Sequence, residues 1–479
     1  MIFSKKRIII LAAMCAVTAP TIDSRGVFAL DDSEPTEPTW EKLELGHTIL
    51  DEPEMPILAY ITMPRANASD GDRVGENPSY INYSTFKLYQ DAGFNIVCPM
   101  YSSEPEGTPY VVKEIEICNE LGLGYLVRDL RVRASSDRGT VNPGKEYFKS
   151  VLQGDAAWYL KEPCVVGVQV IDEPNYLDLE PIGDFYHALA EVDNTKLGFT
   201  NLFPDGASAQ QLAMEDIAAE IGLWEAYKQY ATHFLDTTGS NYVLYDKYWN
   251  HTAQSPLNKD TTASLFRSFS FYANLARERG VVFWSAVASW RHGARKEFTP
   301  KETRWTTNVS LAYGSKGIEY YTYWPIISGV KEEDWEDPSR RGLVTEGGIP
   351  HDTYYTIQDI NRNIQAVDEY LMPATFKGVH QYGEEVAGLQ ECDIIHNPKS
   401  IVDVKGGNAL MGIFENGGKD LYYIVNNSID CGLTPFTVSF PKKAKVHMVN
   451  SKMDKELDSV YAAGFSLSAG EAILLEVEL

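Results

Sequence analysis

"VVGVQVIDEPNY", residues 165–176, decides how the chain is read. Val165 to Ile171 has the composition of a strand buried on both faces, yet it runs straight into Asp172, Glu173 and Pro174. An unpaired carboxylate is costly to bury. The strand must therefore end where acidic groups are partly open and have work to do.

Similar runs recur along the first three-quarters of the chain. They are "ILAYITMP" from Ile57, "FNIVCPMY" from Phe94, "LGYLVRDL" from Leu123, "CVVGVQVIDEP" from Cys164, "KLGFTNLFP" from Lys196, "NYVLYDKYW" from Asn241, "VVFWSAVASW" from Val281 and "GIEYYTYWP" from Gly317. Between them lie longer segments of helical period. In "TASLFRSFSFYANLARERG", Leu265, Phe269, Tyr272 and Leu275 share one face. Gly93, Gly122, Gly239, Gly280 and Gly314 precede strands, where a helix needs a left-handed last residue. "TPKE", Thr299 to Glu302, has a capping Thr, a Pro in the first turn and a Glu three residues on, which makes Glu302 a cap.

Eight strand–helix units predict a (β/α)8 TIM barrel over residues 51–374, with strands apolar on both faces. The active site of such a barrel lies at the C-terminal ends of its strands. Asp172 and Glu173 then stand at the rim, and Pro174, which has no N–H, stops the strand. From residue 375 to 479 short alternating runs with Gly and Asn turns predict a C-terminal antiparallel β-sandwich. Residues 30–50 read as an extended lead-in.

The N-terminus places Lys5, Lys6 and Arg7 before an apolar run from Ile8 to Val17. This is the pattern of a secretory signal peptide over residues 1–29, with a secreted, periplasmic or cell-surface protein expected. The run is too short to span a bilayer, and no later one is longer. Cys15 raises lipid anchoring, against which Met14 is a poor processing site. A formal charge of −25 disfavours nucleic acid and anionic membranes as partners. Cys98, Cys118, Cys164, Cys392 and Cys431 form no CxxC and are odd in number, so free buried thiols are expected. No HExxH or HxH occurs, so neither a metal site nor a cofactor is expected.

"GVQVIDEPN" resembles the fourth-strand motif of clan A glycoside hydrolases, in which Asn-Glu-Pro supplies the acid/base Glu. "YYTYWP" is similar to their eighth strand, which ends in a Trp platform. "FSLSAGEAILLEVEL" resembles the β-domain that follows many such barrels. The resemblance implies Glu173 as acid/base, Asp172 in place of the Asn, Trp324 as platform and an oligo- or polysaccharide as substrate. The clan's nucleophile, at the end of strand seven, has no counterpart in "VVFWSAVASWRHG", and Glu297 beyond it reads as solvated surface.

Glycoside hydrolysis usually needs a second carboxylate. Asp246, ending strand six among Tyr245, Tyr248 and Trp249, is the leading choice; the plainer alternative is an Asp paired with Lys247 or capping a turn. The carboxyl gap from Glu173 to Asp246 is expected at ~5–5.5 Å for retention or ~6.5–9.5 Å for inversion, with the wider favoured by the missing nucleophile. Asp129 is read either as substrate-binding or as half of an Arg128–Asp129 pair. Asn201 ends strand five within reach of a hydroxyl, and Tyr248, Trp290 and Trp324 are stacking surfaces. His251 and His292 read as solvated. Alternation puts Glu319 opposite Trp324, facing the helices. The competing functions are a glycoside hydrolase, a non-catalytic carbohydrate-binding barrel that lost its nucleophile, and, more weakly, a lyase or transglycosidase.

Overall fold

The structure, a computed structural model, describes residues 41–60, 62, 80–99, 108–132, 142–248, 259–289, 299–324, 342–345, 347–383 and 396–479. The expected signal peptide, Cys15, Trp290, His251, His292, Glu297 and Cys392 lie outside the described residues.

Eight strands close into a parallel barrel: β1 (Ile57–Tyr60), β2 (Ile96–Val97), β3 (Gly124–Arg128), β4 (Val165–Asp172), β5 (Leu197–Leu202), β6 (Tyr242–Asp246), β7 (Val282–Ala288) and β8 (Ile318–Tyr321). Each falls inside one of the eight apolar runs. β8 closes on β1 in the register Ile57↔Ile318 to Tyr60↔Tyr321. Leu58, Ile96, Leu126, Phe199, Leu244 and Trp284 fill the interior. Alternate residues face the helices. Tyr245 of β6 stacks on Tyr272 of the helix Lys259–Arg279 at 3.7 Å. Tyr320 of β8 donates to Asn361 Oδ1 of the helix Asp352–Gln365 at 2.9 Å. Burial on both faces is why these strands read as unbroken apolar runs. The end of the lead-in is structural: Leu45, Ile49 and Leu50 pack against the interior cluster.

The five glycines before strands all have positive φ. At Gly314 space adds to conformation, because a Cβ there would meet Phe376 at 2.8 Å. The capping box forms as expected. Thr299 N–H donates to Glu302 Oε2 (2.7 Å) and Glu302 N–H to Thr299 Oγ1 (3.3 Å). Thr299→Ala should therefore lower stability by about 1 kcal/mol, read from the urea midpoint.

Beyond the barrel, β9 (Thr375–Tyr382), β10 (Asp403–Lys405), β11 (Ala409–Asn416), β12 (Lys419–Asn426), β13 (Thr434–Asn450), β14 (Met453–Leu467) and β15 (Ala472–Glu478) form an antiparallel sheet. Its order is β10-β13-β15-β12-β11-β9, with β14 along β13. In place of the two sheets of the expected sandwich there is one continuous seven-stranded sheet. Met411, Ile424, Val438, Phe465 and Leu475, drawn from both halves, share one apolar core. The sheet docks on the helix Pro300–Ala312. Trp305 Nε1 donates to Asn427 (2.8 Å), Asn308 Nδ2 to the Gly470 carbonyl (2.8 Å) and Tyr423 OH to Asn308 Oδ1 (2.7 Å).

Candidate active site at the barrel mouth

β4 carries the first two carboxylates to the rim. Its last residue, Asp172, pairs in register with Asn201 of β5. Strict alternation would send Glu173 to the opposite face. Instead Glu173 has φ 49°, a left-handed conformation that costs a non-glycine residue about 1–3 kcal/mol. The turn is held on both sides. Glu173 N–H donates to the Asn201 carbonyl at 2.9 Å, and Tyr230 OH donates to the Pro174 carbonyl at 2.6 Å. Asn175 then caps the turn Tyr176–Asp178. Because alternation breaks at this residue, two consecutive acidic side chains can serve one mouth.

Asp246 ends β6 and is 5% exposed. It accepts hydrogen bonds from Asn201 Nδ2 (2.8 Å) and Tyr248 OH (2.9 Å). Its neighbour Lys247 turns away, to Asp205 and to Ser264 Oγ (2.7 Å), so the plainer alternative of an Asp246–Lys247 pair does not occur. Burial works to raise the Asp205 acid, but the Lys247 ammonium outweighs it and holds Asp205 ionised.

Glu173 and Asp246 lie close enough that each bears on the other's acidity, so the two carboxyls titrate together. Burial, then the Asp172 charge, raises Glu173 above the usual carboxylate range. Burial, then Asp172, with Glu173 and Glu319 behind it, raises Asp246 well above it.

Glu319 requires a correction. It lies in register with Leu58 and Ala286, both interior residues, so it points into the barrel and not at the helices. Its parity with Trp324 failed because β8 ends at Tyr321 and alternation stops there. Glu319 is 2% exposed, and burial, then Asp172, pushes its acid up to about 8. Two tyrosines also went unread. Tyr60 and Tyr321, the last residues of β1 and β8, stack at 5.9 Å, and Tyr248 lies 5.3 Å from Tyr321. An aromatic at a strand's final position was the available signal.

Asp129 is a correction too. It is buried, its oxygens taken by Arg131 Nε (2.9 Å) and Nη2 (2.6 Å) and by Tyr159 OH (3.0 Å). It is half of an Asp–Arg pair, the second of the two readings, but with Arg131 two residues on and not with Arg128. Trp324 is fully buried, with Tyr80 edge-on at 5.1 Å and Gly348 against its ring, so it presents no open platform. Asn201 fulfils its expected position. Its Nδ2 bridges Asp172 Oδ1 (3.2 Å) and Asp246 Oδ1. Chemically, the mouth combines two neighbouring carboxyls with raised acidities, an exposed third carboxyl and a tyrosine wall.

No protein-family model matches the sequence, and no curated protein matches it. Solved structures do match in fold. A catalytic mutant of a GH42 beta-galactosidase from G. stearothermophilus superposes with a TM-score of 0.56 at 9% identity, over 91% of this chain and 100% of that one. An alpha-amylase from Geobacillus thermoleovorans (TM-score 0.43, 9% identity, 91% of this chain, 100% of that) is similar more loosely. So is a GH39 enzyme from Xanthomonas axonopodis pv. citri (0.42, 10%, 91% and 95%). At such identities the likeness speaks to fold alone: the chain has a closed (β/α)8 barrel followed by an antiparallel sheet domain.

Proposed function

We propose that the protein is an exported glycoside hydrolase that works at the C-terminal mouth of its barrel. The observation that carries this is the convergence of Asp172, Glu173 and Asp246 where a barrel enzyme does its chemistry: Asn201 bridges Asp172 and Asp246, and burial with the Asp172 charge raises the acids of Glu173 and Asp246. Glu173 is the proton donor to the leaving oxygen, fed by Asp246. Asp172, the exposed member, faces the sugar. Tyr60, Tyr321 and Tyr248 supply the surface on which a sugar ring stacks. No helix among the described residues is long and apolar enough to cross a membrane. Export rests on the Lys5–Arg7 cluster and the apolar run after it.

A specific observation favours a second function. β7, Val282 to Ala288, carries no acid. A carbohydrate-binding barrel without turnover fits that arrangement. One screen separates the two: wild type against aryl glycosides and oligosaccharides, read for release of product and for binding. Turnover supports the hydrolase; saturable binding without product supports the binding barrel.

A further inference from the structure

The base of the barrel, opposite the mouth, holds two thiols that the proposed chemistry does not use. Cys118 lies on the helix Thr108–Leu121, and Cys164 directly precedes β4. Both are buried, and both are free thiols in this structure. They share the wall of a cleft of about 330 Å³ at the N-terminal ends of the first four strands, with Pro56, Ile96, Gly124 and Val166 around it.

The two sulfurs meet over one helical turn. Cys164 Sγ donates to the Ile115 carbonyl at 3.6 Å. A helical side chain leans toward the N-terminus and covers the turn before its own Cα, so the Cys118 thiol lies over the turn that holds Ile115. Cys164 accordingly bears on the acidity of Cys118. The same stretch of helix is pinned to both neighbouring strands. Cys164 N–H donates to Asn119 Oδ1 at 3.1 Å, and Tyr125 OH donates to Glu114 Oε2 at 2.5 Å. The helix therefore keeps its position against β3 and β4 before any covalent bond forms. A metal does not account for the pair, because no three His, Cys, Asp or Glu side chains among the described residues are grouped to hold one.

We propose that Cys118 and Cys164 form a disulfide that staples the helix Thr108–Leu121 to the base of the barrel. The oxidant is a low-molecular-weight disulfide of the glutathione type. One cysteine thiolate attacks it, forms a mixed disulfide and releases one glutathione thiolate. The other cysteine thiolate attacks the protein sulfur of the mixed disulfide, closes the Cys118–Cys164 bond and releases the second. Two electrons pass from the cysteines to the oxidant, and the two thiol protons end on the two glutathiones. The step belongs to folding. The thiolate is the nucleophile, and burial pushes the Cys164 thiol up to about 12 and the Cys118 thiol well above its usual range. The closed bond constrains the unfolded chain across β3 and the helices Lys145–Gln153 and Ala157–Leu160, which favours the folded state.

The test unfolds the full chain in urea and refolds it in excess oxidised glutathione, and in parallel under reductant. A non-reducing digest with free thiols trapped should yield a linked Cys118–Cys164 peptide from the oxidised chain alone. The urea midpoint of that chain should be higher by roughly 0.5–1 M. The difference should vanish in Cys118→Ala and in Cys164→Ala. It should persist in Cys431→Ser, whose cysteine lies between β12 and β13. The same digest of chain exported through a heterologous signal sequence into a bacterial periplasm reads the pairing without refolding. Free thiols at both positions in both preparations, a bond from either to another cysteine, or a lower midpoint in the bridged chain overturns the proposal.

Discussion

Glu173→Gln and Asp246→Asn should each lower turnover about 10²-fold or more on a confirmed glycoside, with KM changing far less. Each change keeps the shape of the carboxyl pair and removes its proton traffic. An amide in place of Glu173 cannot protonate the leaving oxygen. An amide in place of Asp246 can still donate a hydrogen bond to Glu173, but it cannot give up a proton. On the proposed function the two side chains act on the same proton. The double variant should therefore lose little more than the worse single one. Neither should lose stability, because each removes a buried acid from a crowded cluster of like charges. Glu173→Gly should gain about 1 kcal/mol or more, since glycine relieves the left-handed φ of 49° at no cost. Near-wild-type turnover in Asp246→Asn would dissolve the pairing. Lost turnover together with a lower melting temperature would point to a structural role instead.

The barrel was legible in the sequence because its strands are buried on both faces, so each appears as an apolar run with a helix-length interval after it. The turn chemistry was legible for a similar reason: Gly314 and the Thr299–Glu302 box act through neighbours in the chain. The rim was read less well, and the failures share a cause. Lys247 has its partner Asp205 42 residues away, so sequence proximity suggested Asp246 in its place. Asp129 pairs with Arg131, two residues on, because both lie past the end of β3, where the chain turns and the Arg131 N–H also donates to Asp129. Glu319 was misplaced by extending alternation past Tyr321, where the strand stops. Glu173 escaped the same error only because the expected role, and not its parity, put it in the mouth. Local rules hold within regular elements, and the site is built where those elements end.

The folded chain should be most stable at mildly acidic pH and should lose stability steadily between about pH 5 and pH 8. The buried acids set the sign. Burial pushes Glu319 and Glu114 each up to about 8 and Asp368 up to about 6. In the unfolded chain these groups release their protons near pH 4–4.5. Between that value and the raised one, the native state binds protons that the unfolded state has let go. Stability therefore falls as pH rises through this window. A carboxyl held up to about 8 is worth roughly 4–5 kcal/mol across the whole window as an upper bound. The acidic limb has the opposite origin. Asp205, kept ionised by Lys247, contributes stability that is lost when it is protonated at low pH. Urea midpoints from pH 4.5 to 8.5 would show the slope. Glu319→Gln isolates one share of it, because the amide cannot ionise and sits in the same interior position beside Ala286. Its midpoint should fall less steeply above pH 5 than the wild type's, while the acidic limb, which belongs to Asp205, stays where it is. A midpoint that rises from pH 5 to 8, or an unchanged slope in the variant, would mean that Glu319 is charged in the folded barrel.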